Sequence, residues 1–214
     1  MSDLLIATAQ PFYSQLANNN TKAWWDEHRA TYDNTLKPEA LALLDRLAPK
    51  LSELIGEEVK TKLFRPHRDV RFSKDKTPYK PHLHMMWQVI DPTARQAPVY
   101  FLGIGVDYVT AGAGMMGFDK PVLEDWRKFI DLDRKRIGDI FDDLTHKDFV
   151  FRDPALKRVP SPFAPDHPLA DYLRMKGCVA SRDLGMPEDI ELAVLRACKQ
   201  LTPLNHLLLQ IASA

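Results

Sequence analysis

Cysteine is scarce in this chain. Cys178 and Cys198 are the only two in 214 residues and share no CxxC spacing, which excludes a disulfide framework and a zinc knuckle and suits a reducing compartment. Net charge is missing as well. Twenty-nine Lys+Arg meet 29 Asp+Glu, so the chain is neither a uniformly basic polyanion coat nor an acidic mimic. Long apolar runs are absent. The longest, Val99 to Val106, is strand-sized and far short of a membrane span. The opening residues place Asp3 where a secretory leader carries bases. A cytoplasmic protein with no membrane partner is therefore expected. Glycine is also low, at nine residues. The cluster Gly112, Gly114 and Gly117 has GxGxxG spacing but not in the form a nucleotide loop requires, after a strand and opening a helix. No GxxxxGK[ST] occurs, so the cluster reads as close backbone approach at a strand end. No GxSxG nucleophile motif is present.

Proline, at 16 residues, exceeds glycine and implies many fixed bends. The first quarter of the chain has helical periodicity. Pro11 suits the first turn of a short helix ending at Asn18-Asn19-Asn20. Thr21 resembles an N-cap for a helix from Lys22 to Arg29 that brings Trp24, Trp25 and His28 together. A longer helix from about Pro38, kinked at Pro49, closes at Gly56. Strands are expected over Leu63 to Phe72, His82 to Ile90, Val99 to Val106 and Tyr108 to Ala113, the last two forming a hairpin around Asp107. Helical spacing returns after Phe118. A proline-rich loop from Pro154 to Pro168 then precedes a short helix and two closing segments, Glu188 to Gln200 and Leu204 to Ile211. The expected class is α+β in one domain: a helical N-terminal part, a central antiparallel sheet and a helical C-terminal part.

Neutrality conceals an asymmetry. Between Lys60 and Lys80 stand eight bases, opposed only by Asp69 and Asp75, so this segment carries +6 and the remainder −6. As a strand it would send Phe64, Val70 and Phe72 to the core and Arg65, His67, Asp69 and Arg71 to a cleft face. Arg68 falls on the apolar parity and requires a carboxylate partner or a break in register at Pro66. The loop that follows presents Lys74, Lys76 and Lys80, a reasonable anion cradle beside Arg68 and Arg71. Equally, such a run can coat a solvated face, with Asp69 and Asp75 pairing to neighbouring bases. A second basic stretch holds Lys157, Arg158, Arg174 and Lys176, with His167 just before a helix start. His82 and His84 share a strand face, but a metal would need a third ligand from His67 or His167, so no metal and no cofactor is expected.

Three stretches carry a resemblance: Asn18 to Arg29, Arg68 to Lys80, and Leu156 to Pro160 followed by Asp166-His167-Pro168 and Leu173 to Lys176. In this order they resemble the conserved hypothetical proteins grouped as domain of unknown function 2461. The chain departs from that pattern after Pro160, where Ser161-Pro162-Phe163 replaces a basic residue and Gly-Tyr. The resemblance implies no activity. It does imply that the three stretches share one domain and one site.

The leading expectation is a basic cleft for a small phosphorylated or carboxylated molecule, with possible turnover. Arg68, Arg71, Lys74, Lys76, Lys80, Lys157 and Arg158 would hold the anion, and Trp25, His28 and Tyr79 would line the pocket. His82, His167 and Asp69 would be the acid–base groups. The alternatives are a non-catalytic nucleic-acid-binding module and a protein-interaction domain using the basic strand and loop. Oligomeric state is not legible in the sequence.

Overall fold

The computed structural model describes residues 3–214. Met1 and Ser2, at the head of the expected leaderless start, lie outside the described residues. The elements run α1 (Leu4–Asn18), α2 (Lys22–Thr31), a π-helical turn (Tyr32–Leu36), α3 (Lys37–Ile55), β1 (Glu58–Leu63), β2 (Leu83–Ile90), β3 (Val99–Ile104), β4 (Val109–Met115), α4 (Lys120–Leu132), α5 (Arg134–His146), β5 (Val150–Phe151), α6 (Ala170–Leu173), β6 (Cys178–Asp183) and α7 (Ile190–Ala212). The α+β reading is correct: helices stand at both ends of the chain around a central six-stranded antiparallel sheet ordered β1-β2-β3-β4-β6-β5.

One sheet face meets the helices. Leu83, Met85, Trp87 and Val89 alternate along β2 and are buried, as an apolar face under helices requires. Trp87 Nε1 donates to the Leu44 carbonyl at 3.0 Å, fixing α3 on β2. The Tyr100 and Thr202 hydroxyls lie 3.1 Å apart, and Asn205 Nδ2 donates to the Val99 carbonyl at 3.3 Å, fixing α7 on β3. Burying this many large side chains, each contributing roughly 1.5–3 kcal/mol, holds the layers together.

Local signals explain several helix ends. Thr21 Oγ1 accepts from the Trp24 N–H at 3.2 Å, so it is the N-cap of α2. Gly56 has φ 80°, the left-handed geometry that closes α3 without a Cβ penalty. Proline proves a weaker stop than expected. Pro11 lies in the interior of α1, which begins at Leu4 under an Asp3 cap. Pro203 likewise lies within α7, so the two expected closing segments are one helix, while Pro49 lies inside α3 as expected.

The strand expected over Leu63 to Phe72 does not form. β1 occupies Glu58–Leu63 instead, and residues 64–80 make an irregular excursion before β2. Asp69 and Asp75 cause this, because their carboxylates take the Arg71 and Thr77 backbone N–H groups at 3.3 and 2.9 Å and replace the ladder. The base of the excursion is paired through Arg68 N–H to the Pro78 carbonyl and Lys80 N–H to the Pro66 carbonyl, both 2.8 Å. Parity then loses its meaning, and Phe72 is 96% exposed rather than in the core. β5 and β6 were not anticipated. They complete the sheet beyond β4.

Candidate anion-binding cleft

The cleft begins at Asn20. Its Nδ2 donates to the Tyr79 carbonyl at 2.9 Å and its Oδ1 accepts the Tyr79 N–H at 3.1 Å, tying the start of α2 to the end of the 64–80 excursion. Thr21 then caps α2 and turns Trp25 inward. The Trp25 ring stacks on Tyr79 with centroids 4.5 Å apart and 15° between planes, and meets Tyr32 at 5.3 Å and His67 at 6.0 Å. Trp24 stacks on His28 at 4.1 Å. His28 Nδ1 lies 2.8 Å from the Trp24 carbonyl; a carbonyl only accepts, so Nδ1 carries the proton.

Between α2, the π-helical turn, the start of α3 and the end of β1 opens a cleft of about 580 Å³. Its apolar wall includes Trp25, Tyr32, Leu41, Phe64 and Tyr79. Lys22, Arg29, Lys37, Lys62 and Arg65 also line it, against Asp26 and Asp33. Arg29 Nε is engaged by Asp33 Oδ2 at 3.0 Å, and Lys62 Nζ stands 4.9 Å from the Phe64 ring centroid. Burial raises the Tyr32 phenol above its ordinary pKa, with Asp33 adding to the effect. It raises Tyr79 too, helped by Asp26 and opposed by Arg29. Both hydroxyls therefore stay protonated at neutral pH and can donate.

Of the expected pocket residues, Trp25 and Tyr79 line this cleft, while His28 packs on Trp24 outside its lining. The expected anion ligands are arranged otherwise. Arg68 pairs with Asp75 and bonds Thr77. Arg71 pairs with Asp69 at 2.7 Å, and Lys76 Nζ donates to the Val70 carbonyl at 2.9 Å. Lys74 is exposed, and Lys80 Nζ lies 5.8 Å from the Phe64 ring centroid. The carboxyl of Asp69 is held below its ordinary range by hydrogen bonds from Arg71, and that of Asp75 is held down to about 2 by Arg68 and then Thr77.

The histidines fall in different places. The His82 and His84 rings stack at 3.8 Å. Burial lowers the pKa of both, with Lys80 contributing to each, and His84 falls to about 4. His167 is buried elsewhere; its Nδ1 accepts the Leu169 N–H at 3.0 Å, and Nε2 stands 3.5 Å from Asp131 Oδ1. Lys157 and Arg158 are exposed on the loop that joins β5 to α6. The Leu156 N–H donates to the Arg174 carbonyl there, and the Arg152 N–H to the Val179 carbonyl, both at 3.0 Å. Four strand spacings separate β1 from β6, roughly 19 Å. The first two resemblance stretches meet through Asn20 and Tyr79. The third lies at the opposite edge of the sheet.

The residues overlooked are Lys22, Arg29, Lys37 and Lys62, whereas Arg65 and His67, expected on a cleft face, do line it. Lys22, Asp26, Arg29 and Asp33 recur at three- and four-residue steps, and that spacing could have disclosed a charged helix face above Trp25.

Among the described residues, no group of three His, Cys, Asp or Glu side chains is placed to hold a metal ion. Among them too, no helix is long and apolar enough to cross a membrane. No curated protein matches the chain. The family model for a conserved hypothetical protein, DUF2461, matches residues 8–206, and the chain belongs to that family.

Proposed function

We propose that the protein binds a small phosphorylated or carboxylated molecule in the cleft beside Trp25 and Tyr79. The observation that carries this reading is the lining itself, in which five bases face two acids across an aromatic wall. Arg29 is spent on Asp33, which leaves Lys22, Lys37, Lys62 and Arg65 outside that ion pair. Lysines supply point charge and Arg65 can form a bidentate contact with a carboxylate or phosphate. The protonated Tyr32 and Tyr79 hydroxyls add neutral donors. The volume of about 580 Å³ suits a metabolite-sized ligand, for which sites run to about 300–1,000 Å³.

The basic 68–76 loop is not the binding element in this reading, because Arg68, Arg71 and Lys76 are engaged within the loop. The reading extends to binding and assigns no reaction, since neither Asp69, His82 nor His167 lines the cleft. A reducing, cytoplasmic location belongs with it: both cysteines are free and buried, and burial raises their thiols far above the ordinary range.

The test is a thermal-shift screen against inorganic phosphate, pyrophosphate, nucleotides, sugar phosphates and dicarboxylates. A true ligand at a hundredfold excess over its Kd adds about 2.7 kcal/mol of stability. Lys22→Glu and Lys37→Glu should abolish that shift while leaving the ligand-free protein folded. A screen with no shift, or a shift that survives both substitutions, overturns the reading.

A further inference from the structure

Only one face of the sheet is packed by helices. Strand register sets Lys62, Met86, Phe101, Gly112 and Ser181 in one row across the other face, opposite in parity to the buried Leu83, Met85 and Trp87. Lys62 is exposed there and Met86, Phe101 and Ser181 are half-buried, with Gly112 buried beneath the Phe101 ring. Glycine shapes this surface. A Cβ at Gly103 would meet the His84 ring, one at Gly105 the Tyr108 ring and one at Gly112 the Phe101 ring. Three rings therefore occupy the space that glycine leaves open, each seated on backbone and each still partly open to solvent. His84 Nε2 and the Tyr108 hydroxyl, 3.0 Å apart, hold two of them together.

Charge accompanies the rings. Lys60 shares the face, paired across to Gln88, one row from Lys62. Lys80 Nζ lies 5.8 Å from the Phe64 ring centroid, the ring that Lys62 Nζ also approaches at 4.9 Å. The acids of the face stand at its margins: Glu58 opens β1, and Asp183 closes β6 with its Oδ1 taking the Gly185 N–H at 3.0 Å.

We propose that this face binds a single-stranded polynucleotide, with bases on the His84, Tyr108 and Phe101 rings and phosphates along Lys60, Lys62 and Lys80. Rings accept any unpaired base, and lysines meet the backbone charge, whereas a duplex keeps its bases stacked inside. The site is separate from the cleft except for Lys62, which borders both.

Fluorescence anisotropy with labelled decamers of uridylate and thymidylate, against a ten-base-pair duplex, tests this. One single strand or both should bind in preference to the duplex. Phe101→Leu and Tyr108→Leu should each weaken binding by about 5- to 100-fold. Lys60→Gln, on an exposed side chain that cannot compromise folding, should reduce the dependence of log K on log salt by about 0.7. Lys22→Glu, in the cleft, should leave affinity unchanged. No binding at 50 mM salt, or duplex bound as tightly as single strand, overturns the proposal. Binding lost with Lys22→Glu but unaltered in Lys60→Gln also overturns it, by placing the strand in the cleft.

Discussion

Asn20 and Tyr79, 59 residues apart, are joined by two hydrogen bonds that use both ends of one side-chain amide. The pair closes one end of the cleft, because Tyr79 is the ring on which Trp25 stacks. At about 0.5–1.5 kcal/mol for each bond, Asn20→Ala should cost about 1–3 kcal/mol of stability, measured by urea denaturation. Asn20→Asp keeps the acceptor and loses the donor, so it should fall between wild type and alanine. Equal stability of all three proteins would show that the clamp contributes nothing.

Glycines at positive φ differ sharply in their surroundings. Gly114 has φ +137° and a Cβ there would strike the Cys178 carbonyl, whereas Gly185 has φ +63° and open space around it. Gly185→Ala should cost about 1–2 kcal/mol, the strain of the left-handed region alone. Gly114→Ala forces β4 and β6 apart and should cost more than about 3 kcal/mol or prevent folding. Thermal melts of the two variants make the comparison; a similar loss in both would contradict it.

His84 should make stability depend on pH. Burial lowers its pKa to about 4, with His82 and Lys80 reinforcing the effect, while an unfolded chain titrates near 6.5. The folded state therefore binds this proton less readily than the unfolded state. Its contribution is complete above about pH 6.5 and is lost as pH falls towards 4, at no more than about 1.4 kcal/mol per pH unit. His84→Gln should flatten the profile in that window, and the imidazole resonances of the folded protein should titrate with a midpoint near 4.

Phe72 is a large apolar side chain with almost no packing, at 96% exposure. Phe72→Ser should change stability by less than about 0.5 kcal/mol, as surface substitutions do. A loss above 2 kcal/mol in chemical denaturation would mean that the loop tip packs on the domain.

Much of this architecture was legible because its causes are local. Thr21 caps α2 through its own side chain, and Gly56 ends α3 through its own φ. The β3–β4 hairpin turns around Asp107, with Gly105 N–H donating to the Tyr108 carbonyl at 2.9 Å. The 64–80 segment was misread because the apolar parity of Phe64, Val70 and Phe72 looks like a strand, while Asp69 and Asp75 satisfy backbone donors at short range. The carboxylate partner required by Arg68 was correctly anticipated and proves to be Asp75. β6 was hidden because Cys178-Val-Ala-Ser-Arg-Asp has little strand character, and its partners on β4 are more than sixty positions away. The cleft was only half visible for a similar reason. Trp25 and Tyr79 stood in conspicuous motifs, but Lys37 and Lys62 reach it from separate elements that only the tertiary fold brings together.

β1 closes the sheet on one side, and its outer edge has no partner strand within the sheet. Such an edge invites pairing with another chain, the first step of sheet-based aggregation. Here Glu58, Lys60 and Lys62 recur at every second position of that strand, all exposed. A parallel in-register copy would have to stack like charges on like at each of them. The two lysines that face the solvent thus also guard the edge, and protein stripped of their charge should lose colloidal stability before it loses its fold.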